Sequence, residues 1–275
     1  MGFNPALTVQ EVEAALAGGY TALVPITVGG QGAVFRALGD AGRDAVEVAL
    51  KIYHPDQLEE RSRREVKALR LMRGETIAAL HDAGTCTIRG ERCPYVATAF
   101  VHGQPLSFLI EAGPMQLGQI ARVGQDIASA IQVMWAARIV HRDIKPANIM
   151  VRDNGRAVLI DLGLARHLTL TSLTTSGMTW GTPGYLSPEQ ARGTKQLSCK
   201  SDVFSLGIVL QECLLGRHPT NRRQAEILDG GPRTGRLRPD LPSQFTLLVD
   251  SMVGQRPVSR PTPELIVERF VPFLA

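Results

Sequence analysis

Apolar positions change their period near residue 100. In AVEVALKIY (residues 45–53), Val46, Val48, Leu50 and Ile52 fall on one face, against Glu47, Ala49 and Lys51 on the other. That is the period of a half-buried strand. TALVPI (21–26) and AVFRAL (33–38) read as further strands, as do residues 84–88 and 94–101. A helix is expected over 57–73, with Val66, Leu69 and Met72 inward, and a short amphipathic helix over Val9, Val12 and Leu16. After residue 106 the spacing turns helical. Ile120, Val123, Ile127, Ile131 and Met134 predict a helix across 117–138, and residues 201–215 are apolar enough to predict a buried one. Asn154-Gly155 within IMVRDNGRAVLID (149–161) signals a hairpin with a type I′ turn. Gly and Pro crowd residues 222–244, which predicts loops there. The change of period falls at the turn signal HGQP (102–105). The expected division is an N-terminal extension over 1–19, a strand-rich lobe over 20–101 and a helical lobe over 102–275. This is an α+β, bilobal arrangement with a ligand-binding cleft between the lobes.

Composition narrows the function classes. A hydrophobic share of 44% in 275 residues is enough for a packed core and excludes a disordered chain. The net charge of +4 comes with no Lys/Arg block or aromatic-basic stripe, so no nucleic-acid partner is expected. EERSRREVK (59–67) mixes both signs and reads as a solvated helix face. Cys86, Cys93, Cys199 and Cys213 form no C-x-x-C pair, which argues against zinc. They read as reduced thiols of a cytoplasmic protein. No run of 18 apolar residues occurs, so no membrane span is expected. Lysine is scarce: Lys51, Lys67, Lys145, Lys195 and Lys200 are the only ones among 30 basic residues. Where a lysine is kept, a compact point charge is the reason to look for.

Two of those lysines sit in stretches that carry chemistry. HRDIKPANIM (141–150) places Asp143 and Asn148 five residues apart before a strand, and Asp161 follows at the end of the next strand. Either residue type alone would be ordinary turn chemistry. Two carboxylates and an amide at the mouth of one hairpin suit Mg2+, which takes few protein oxygens and fills its shell with phosphate and water. TVGGQGAV (27–34) carries three glycines in four residues. By itself it fits a tight hairpin turn or a phosphate-cradling loop.

VALK (48–51), HRDIKPAN (141–148), DLG (161–163), GTPGYLSPE (181–189), SDVFSLG (201–207) and SRP (259–261) occur in this order. With the glycine-rich stretch they resemble the signature set of the eukaryotic-type protein kinases, most similar to the bacterial Ser/Thr kinases. The resemblance covers about residues 20–272. It implies the protein kinase fold, with an antiparallel sheet and one helix in front and a mostly helical lobe behind. It also implies ATP and Mg2+ as cofactors, and transfer of the γ-phosphate to Ser or Thr of a protein substrate.

The resemblance assigns roles position by position. Lys51 would contact the α- and β-phosphates, with Glu65 as its helix partner and Glu59 and Glu60 as rivals. Asp143 would take or orient the substrate hydroxyl, and Lys145 would sit by the γ-phosphate. Asn148 and Asp161 would hold Mg2+. Val28, Gly29, Gly30, Gln31 and Gly32 would form a lid over the phosphates, with Thr27 under the ribose side and Val34 and Ala49 packing on the adenine. Thr98 falls at the gatekeeper position, and Ala99, Phe100 and Val101 at the hinge. Glu189 should pair with Arg260, Asp202 should bind amides of the catalytic loop, and Thr182 should bond toward Asp143 and Lys145. Arg142 would bind a phosphate on the activation segment (164–182), placed by autophosphorylation at Thr174, Thr175 or Ser176. Two residues depart from the pattern: Thr27 stands where a first glycine is usual, and Leu162 replaces the Phe of D-F-G.

Two other classes compete. A pseudokinase, a nucleotide-binding interaction module, would be expected to lack Lys51, Asp143, Asn148 or Asp161, and all four are present. A small-molecule kinase would carry H-G-D, whereas Arg142 follows His141 here. Lys145, two residues after the aspartate, marks Ser/Thr rather than Tyr as the acceptor. A homodimer through the front lobe is compatible with the resemblance. The physiological substrate is not readable from these residues.

Overall fold

The computed structural model describes residues 6–16, 18–29, 32–40, 45–55, 59–72, 74–162, 166–167 and 181–274. They divide into two compact units, Met1–Leu71 with Ala78–Val101, and Met72–Ile77 with His102–Ala275.

The first unit is a five-stranded antiparallel sheet with two helices. Helix α1 (Val9–Ala15) precedes β1 (Tyr20–Gly29), β2 (Gly32–Asp40) and β3 (Ala45–Tyr53); α2 (Glu59–Leu71), β4 (Leu80–Ile88) and β5 (Glu91–Ala99) follow. The spatial order is β1-β2-β3-β5-β4. Both rear strands start earlier than alternation alone predicts. At Gly84 a Cβ would stand 2.8 Å from the Tyr95 hydroxyl, so the glycine lets the facing ring lie across the strand. The pleat sorts the sheet into two faces. Phe35, Val48, Leu50, Ile52, Cys93 and Ala97 are buried in one core cluster, with Leu7 and Val12 of the N-terminal segment packed into it. Helix α1 is therefore part of the hydrophobic core of this unit. A Thr8/Glu11 capping box starts α1. Arg89, in the β4–β5 turn, holds it through a bidentate bond to Glu11 at 2.8 and 3.0 Å. Cys86 and Cys93 face each other in register and are free thiols. Burial pushes the Cys86 thiol up to about 11.

The second unit is mainly helical. In chain order it contains β6 (Gln104–Pro105), α3 (Leu106–Glu111), α4 (Leu117–Ala136), β7 (Ile139–Val140), β8 (Ile149–Val151), β9 (Ala157–Leu159) and β10 (Arg166–His167). Then come α5 (Pro188–Ala191), α6 (Cys199–Leu215), α7 (Gln224–Leu228), α8 (Thr234–Leu237), α9 (Ser243–Met252) and α10 (Pro263–Phe270). Helix α6 is buried along nearly its whole length, as its unbroken apolar run requires. Ser198 caps its start, and Gly216 (φ 66°) ends it in the left-handed conformation. Ile120, Ile127 and Ile131 of α4 are fully buried. Each contributes about 1.5–3 kcal/mol of burial. Asp126 of α4 receives Arg156 Nε at 3.0 Å and Ala157 N at 2.8 Å, which docks the β8–β9 hairpin on this helix.

That hairpin differs from the expected two-residue turn. Gly155 has φ 79°, and Asn154 is not among the residues with positive φ. Gly155 N donates to Arg152 O at 2.8 Å, and Arg152 N to Arg156 O at 2.9 Å. This is a three-residue loop with glycine at the left-handed position, because a type I′ turn needs both central residues there. Residues 222–244, expected as loop, include the two short helices α7 and α8.

One ion pair locks the lower part of this unit. Arg260 meets Glu189 at 2.7 and 2.8 Å, donates to the Gly254 and Lys200 carbonyls at 2.7 Å each, and stacks 4.8 Å over Phe204. Its side chain is fully buried. Burial alone would raise the Glu189 carboxyl, but bonds from Arg260 and Ser201 overcome this and hold it below the ordinary glutamate value. Breaking such a pair leaves a buried charge uncompensated. Arg260→Met is expected to cost about 3 kcal/mol at neutral pH, read from urea unfolding. Because the native pKa of Glu189 is depressed, this stabilisation is present above 4.5 and is lost as pH falls through the native value. The gap between parent and variant should narrow on acidification below 4.5. A gap that stays constant would contradict the pairing energetics.

Candidate active site

In the second unit, the segment His141–Lys145 runs from β7 into the short 3-10 turn Pro146–Asn148. A carboxylate from α6 fixes its backbone. Asp202 Oδ2 accepts His141 N at 2.8 Å, and Oδ1 accepts Arg142 N at 2.9 Å. Burial raises the Asp202 carboxyl, and the charges and amides of His141 and Arg142 only partly oppose this. Arg142 adopts φ 74°, which an arginine takes only when its surroundings enforce it. Gln190 Nε2 completes the restraint by donating to Arg142 O at 2.6 Å. Gly181 must be glycine here: its φ is 127°, and a Cβ would stand 2.8 Å from the same carbonyl.

Three side chains close a triangle on this loop. The Thr182 hydroxyl donates to Asp143 Oδ1 at 2.6 Å. Lys145 Nζ lies 2.8 Å from Asp143 Oδ2 and donates to Thr182 Oγ1 at 2.7 Å. Asn148 Nδ2 donates to Asp143 O at 2.9 Å and approaches Oδ2 at 3.4 Å. Asp143 and Asn148 are each 9% exposed. The Asn148 amide nitrogen is committed to Asp143, which leaves Oδ1 as the atom to meet a cation. Asp161 follows β9 by two residues, and Ile160 N donates to Asn148 O at 3.0 Å, so hairpin pairing fixes the backbone beside Asp161 to the Asn148 turn. An amide oxygen and a carboxylate are hard donors, few in number, and fit Mg2+ better than a softer metal. Leu162 is buried; Gly163 lies outside the described residues.

A second layer lies below the triangle. A cavity of about 380 Å3 is bordered by Lys145, Thr182, Tyr185, Glu212, Glu111 and Arg222, among others. The Tyr185 hydroxyl donates to Glu212 at 2.6 Å. His218 Nδ1 accepts Thr220 N at 3.2 Å and Arg222 N at 2.9 Å. Its proton therefore sits on Nε2, which reaches Gly184 O at 3.2 Å. Burial lowers the imidazole to about 4, so it stays neutral. Gln224 takes Gly184 N at 2.8 Å and donates to Leu186 O at 2.9 Å. His218 and Gln224 brace the 181–189 segment and Gln190 braces Arg142, and the motifs gave no sign of them. Each acts from a distant position, and nothing local to it signals the contact.

In the first unit, strand register gathers the other predicted residues on the sheet face opposite the core. Thr27 pairs with Val34, Val34 with Lys51, and Ala49 with Thr98. Lys51 Nζ lies 3.6 Å from Glu65 Oε2 and 5.0 Å over the Tyr53 ring. Gly29 and Gly32 close the β1–β2 hairpin. A Cβ on Gly32 (φ 146°) would fall 2.0 Å from Ile52 O, so only glycine fits. Gly30 and Gln31 lie outside the described residues, as do Thr174, Thr175 and Ser176. Val28 is half exposed. Ala99 N donates to Ala79 O at 2.8 Å and Phe100 N to Glu47 O at 3.0 Å. Arg36 stacks 5.0 Å over the Phe100 ring, and Val101 is buried.

A family model described as the protein kinase domain matches residues 20–271. Serine/threonine-protein kinase AfsK of Streptomyces coelicolor is 33% identical over 264 residues, which cover 94% of this chain and 32% of AfsK. PknA of Mycobacterium tuberculosis is 33% identical over 256 residues, covering 89% of this chain and 58% of PknA. PknL of the same species is 32% identical over 253 residues, covering 88% and 62%. The chain thus spans about 32% to 62% of the length of these relatives. With a family model matching nearly its whole length, the chain belongs to the protein kinase domain family.

Proposed function

We propose that this chain transfers the γ-phosphate of ATP, with Mg2+, to serine or threonine hydroxyls of a protein substrate. The observation that carries the proposal is the Asp143–Lys145–Thr182 triangle. Asp143 accepts a hydrogen bond there from the Thr182 hydroxyl, and a substrate hydroxyl presents the same donor chemistry to it. Lys145 supplies a positive charge beside the acceptor carboxylate, where negative charge gathers on transferring oxygens. Thr182 orients both. Asn148 Oδ1 and Asp161 would hold the metal, whose part is to neutralise phosphate charge. No covalent intermediate on the protein is needed, so positioning and charge do the work.

Lys51, steadied by Glu65, would bind the α- and β-phosphates as a point charge. Residues 28–32 would cover those phosphates through backbone N–H groups. Val34 and Ala49 would pack on the adenine, and the backbone at Ala99, Phe100 and Val101 would read its edge. The shared sheet face of Val34, Ala49, Lys51 and Thr98 supports this. Arg142 would receive a phosphate on the 164–182 segment, placed there by the chain itself. The names of the relatives, all serine/threonine-protein kinases, favour the hydroxyl class. Among the described residues no helix is long and apolar enough to cross a membrane.

With Mg-ATP and a generic basic protein, Asp143→Asn is expected to reduce turnover at least about a hundredfold while leaving the thermal transition in place. Lys51→Met should act similarly through phosphate positioning. Wild-type rates in both variants would contradict the assignment. Mass-spectrometric mapping after incubation with Mg-ATP should find phosphate between residues 164 and 182, at Thr174, Thr175 or Ser176. A segment left unmodified by an otherwise active protein would overturn the autophosphorylation step.

A further inference from the structure

The β4–β5 hairpin carries two thiols that the proposed reaction does not use. Cys86 and Cys93 stand directly opposite each other in the strand register. Facing residues of an antiparallel pair have Cα atoms about 4.5–5.5 Å apart, within the span a disulfide accepts. The Cys86 thiol already leans across the ladder, where it donates to Cys93 O at 3.6 Å. The turn beyond the pair keeps the register from slipping. Arg89 (φ 54°) and Gly90 (φ 80°) are both left-handed, as a two-residue type I′ turn requires. Cys199 and Cys213 make an internal contrast. They stand near opposite ends of α6, about 21 Å apart at the rise of an α-helix, and cannot join each other.

Helix α1 covers the facing pair. Leu7 and Val12 belong to the same core cluster as Cys86 and Cys93. Cys93 is fully buried and Cys86 is 7% exposed. The cover is tied down from the hairpin's own turn, for Arg89 bonds Glu11 and donates to Ala6 O at 3.2 Å. Burial holds both thiols above the ordinary cysteine value, so beneath the docked helix they stay protonated and unreactive. A short helix tied by surface groups opens more readily than the strands under it.

We propose that Cys86 and Cys93 form a dithiol oxidised to a disulfide by hydroperoxides, with access gated by the undocking of α1. With the helix away, Cys86 meets water and ionises more readily. Its thiolate attacks one oxygen of the hydroperoxide: an S–O bond forms and the O–O bond breaks. The leaving oxygen takes up a proton and departs as an alcohol, or as water from hydrogen peroxide. Cys93 then attacks the Cys86 sulfenic sulfur, so that S–S forms and S–O breaks. The hydroxide released takes the Cys93 proton and leaves as water. Two thiols and one hydroperoxide thus give one disulfide, one alcohol and one water, and the two electrons lost by sulfur reduce the O–O bond. The new bond staples β4 to β5 in the state that has lost its cover.

The test treats the full chain with hydrogen peroxide, quenches it, blocks remaining thiols with iodoacetamide in denaturant and digests with trypsin. Cleavage after Arg92 puts Cys86 and Cys93 on separate peptides, so a linked pair of peptides reports the bond. Arg89→Asn releases α1 from the turn while keeping a residue suited to the left-handed conformation. Glu11→Gln removes the same ion pair from the helix side and keeps the capping box. The linked pair should form slowly in the parent and about fivefold faster in each variant, with Cys199 and Cys213 recovered as blocked thiols. Dithiothreitol should return the parent to four free thiols. Cys93→Ser should stop at the sulfenic acid, trapped as a dimedone adduct on Cys86. No linked peptides in the parent or either variant, or bonds only between chains, would overturn the dithiol. Equal rates in the parent and both variants would overturn gating by α1. Oxidation of Cys199 as fast as Cys86 would mark general unfolding and overturn the site's selectivity.

Discussion

The buried carboxylate of Asp202 is the constraint on which the 141–148 segment depends. It sits in the first turn of α6, a helix buried along nearly all its length, and so cannot drift. Its two oxygens take the amides of His141 and Arg142. Those bonds hold Arg142 in a left-handed conformation that few arginines adopt. With the chain so turned, Asp143 N can reach His141 Nδ1, and Asp143 meets Thr182, Lys145 and Asn148. The cost of burying this carboxyl, visible in its raised pKa, is met by bonds that bear directly on the loop. A buried apolar residue at position 202 would be cheaper to bury and would hold no amide at all.

The same logic repeats lower in the unit and differs in the first one. Arg260 is buried because Glu189 and three backbone carbonyls use its guanidinium from several sides. That pair anchors α5, the end of the segment that begins at Thr182. In the first unit the organising device is strand register rather than a buried ion. One pleat face is apolar and joined by α1; the other carries Thr27, Val34, Ala49, Lys51 and Thr98. A slip of one residue in β3 would send Lys51 into the core and Leu50 out of it. The hydrophobic pattern of the strand and the placement of Lys51 are therefore one fact.

Much of this was legible from residues alone, for a physical reason. Asp143, Asn148 and Asp161 lie in one ordered stretch whose local chemistry suggests a metal site, whereas the role expected of Lys51 comes from the kinase resemblance. Alternation in 45–53 announces β3, and the apolar run of 201–215 announces α6. The Glu189–Arg260 pair was open to expectation only through the kinase resemblance, since 71 residues separate them. What escaped depends on tertiary contact or on fine backbone geometry. Asn154-Gly155 carries the same letters in a two-residue turn and in a three-residue loop, and only the φ of Asn154 separates them. Gln190, His218 and Gln224 look like ordinary polar residues until the fold brings carbonyls and amides to them. The N-terminal helix reads as an extension until Leu7 and Val12 are seen within the sheet's core.

Asp202 sets the geometry of the 141–148 loop and, through it, the rate of the proposed phosphate transfer. Asp202→Asn keeps the shape but turns an amide donor toward backbone N–H groups that need acceptors. Steady-state phosphotransfer by this variant, measured beside ATP affinity, tests the claim most directly. Turnover is expected to fall by about a hundredfold, because small displacements of reacting groups are that costly. ATP affinity should stay within a few fold of the parent, with a cooperative thermal transition. Parent-level turnover in the folded variant would show instead that the loop holds its geometry without Asp202.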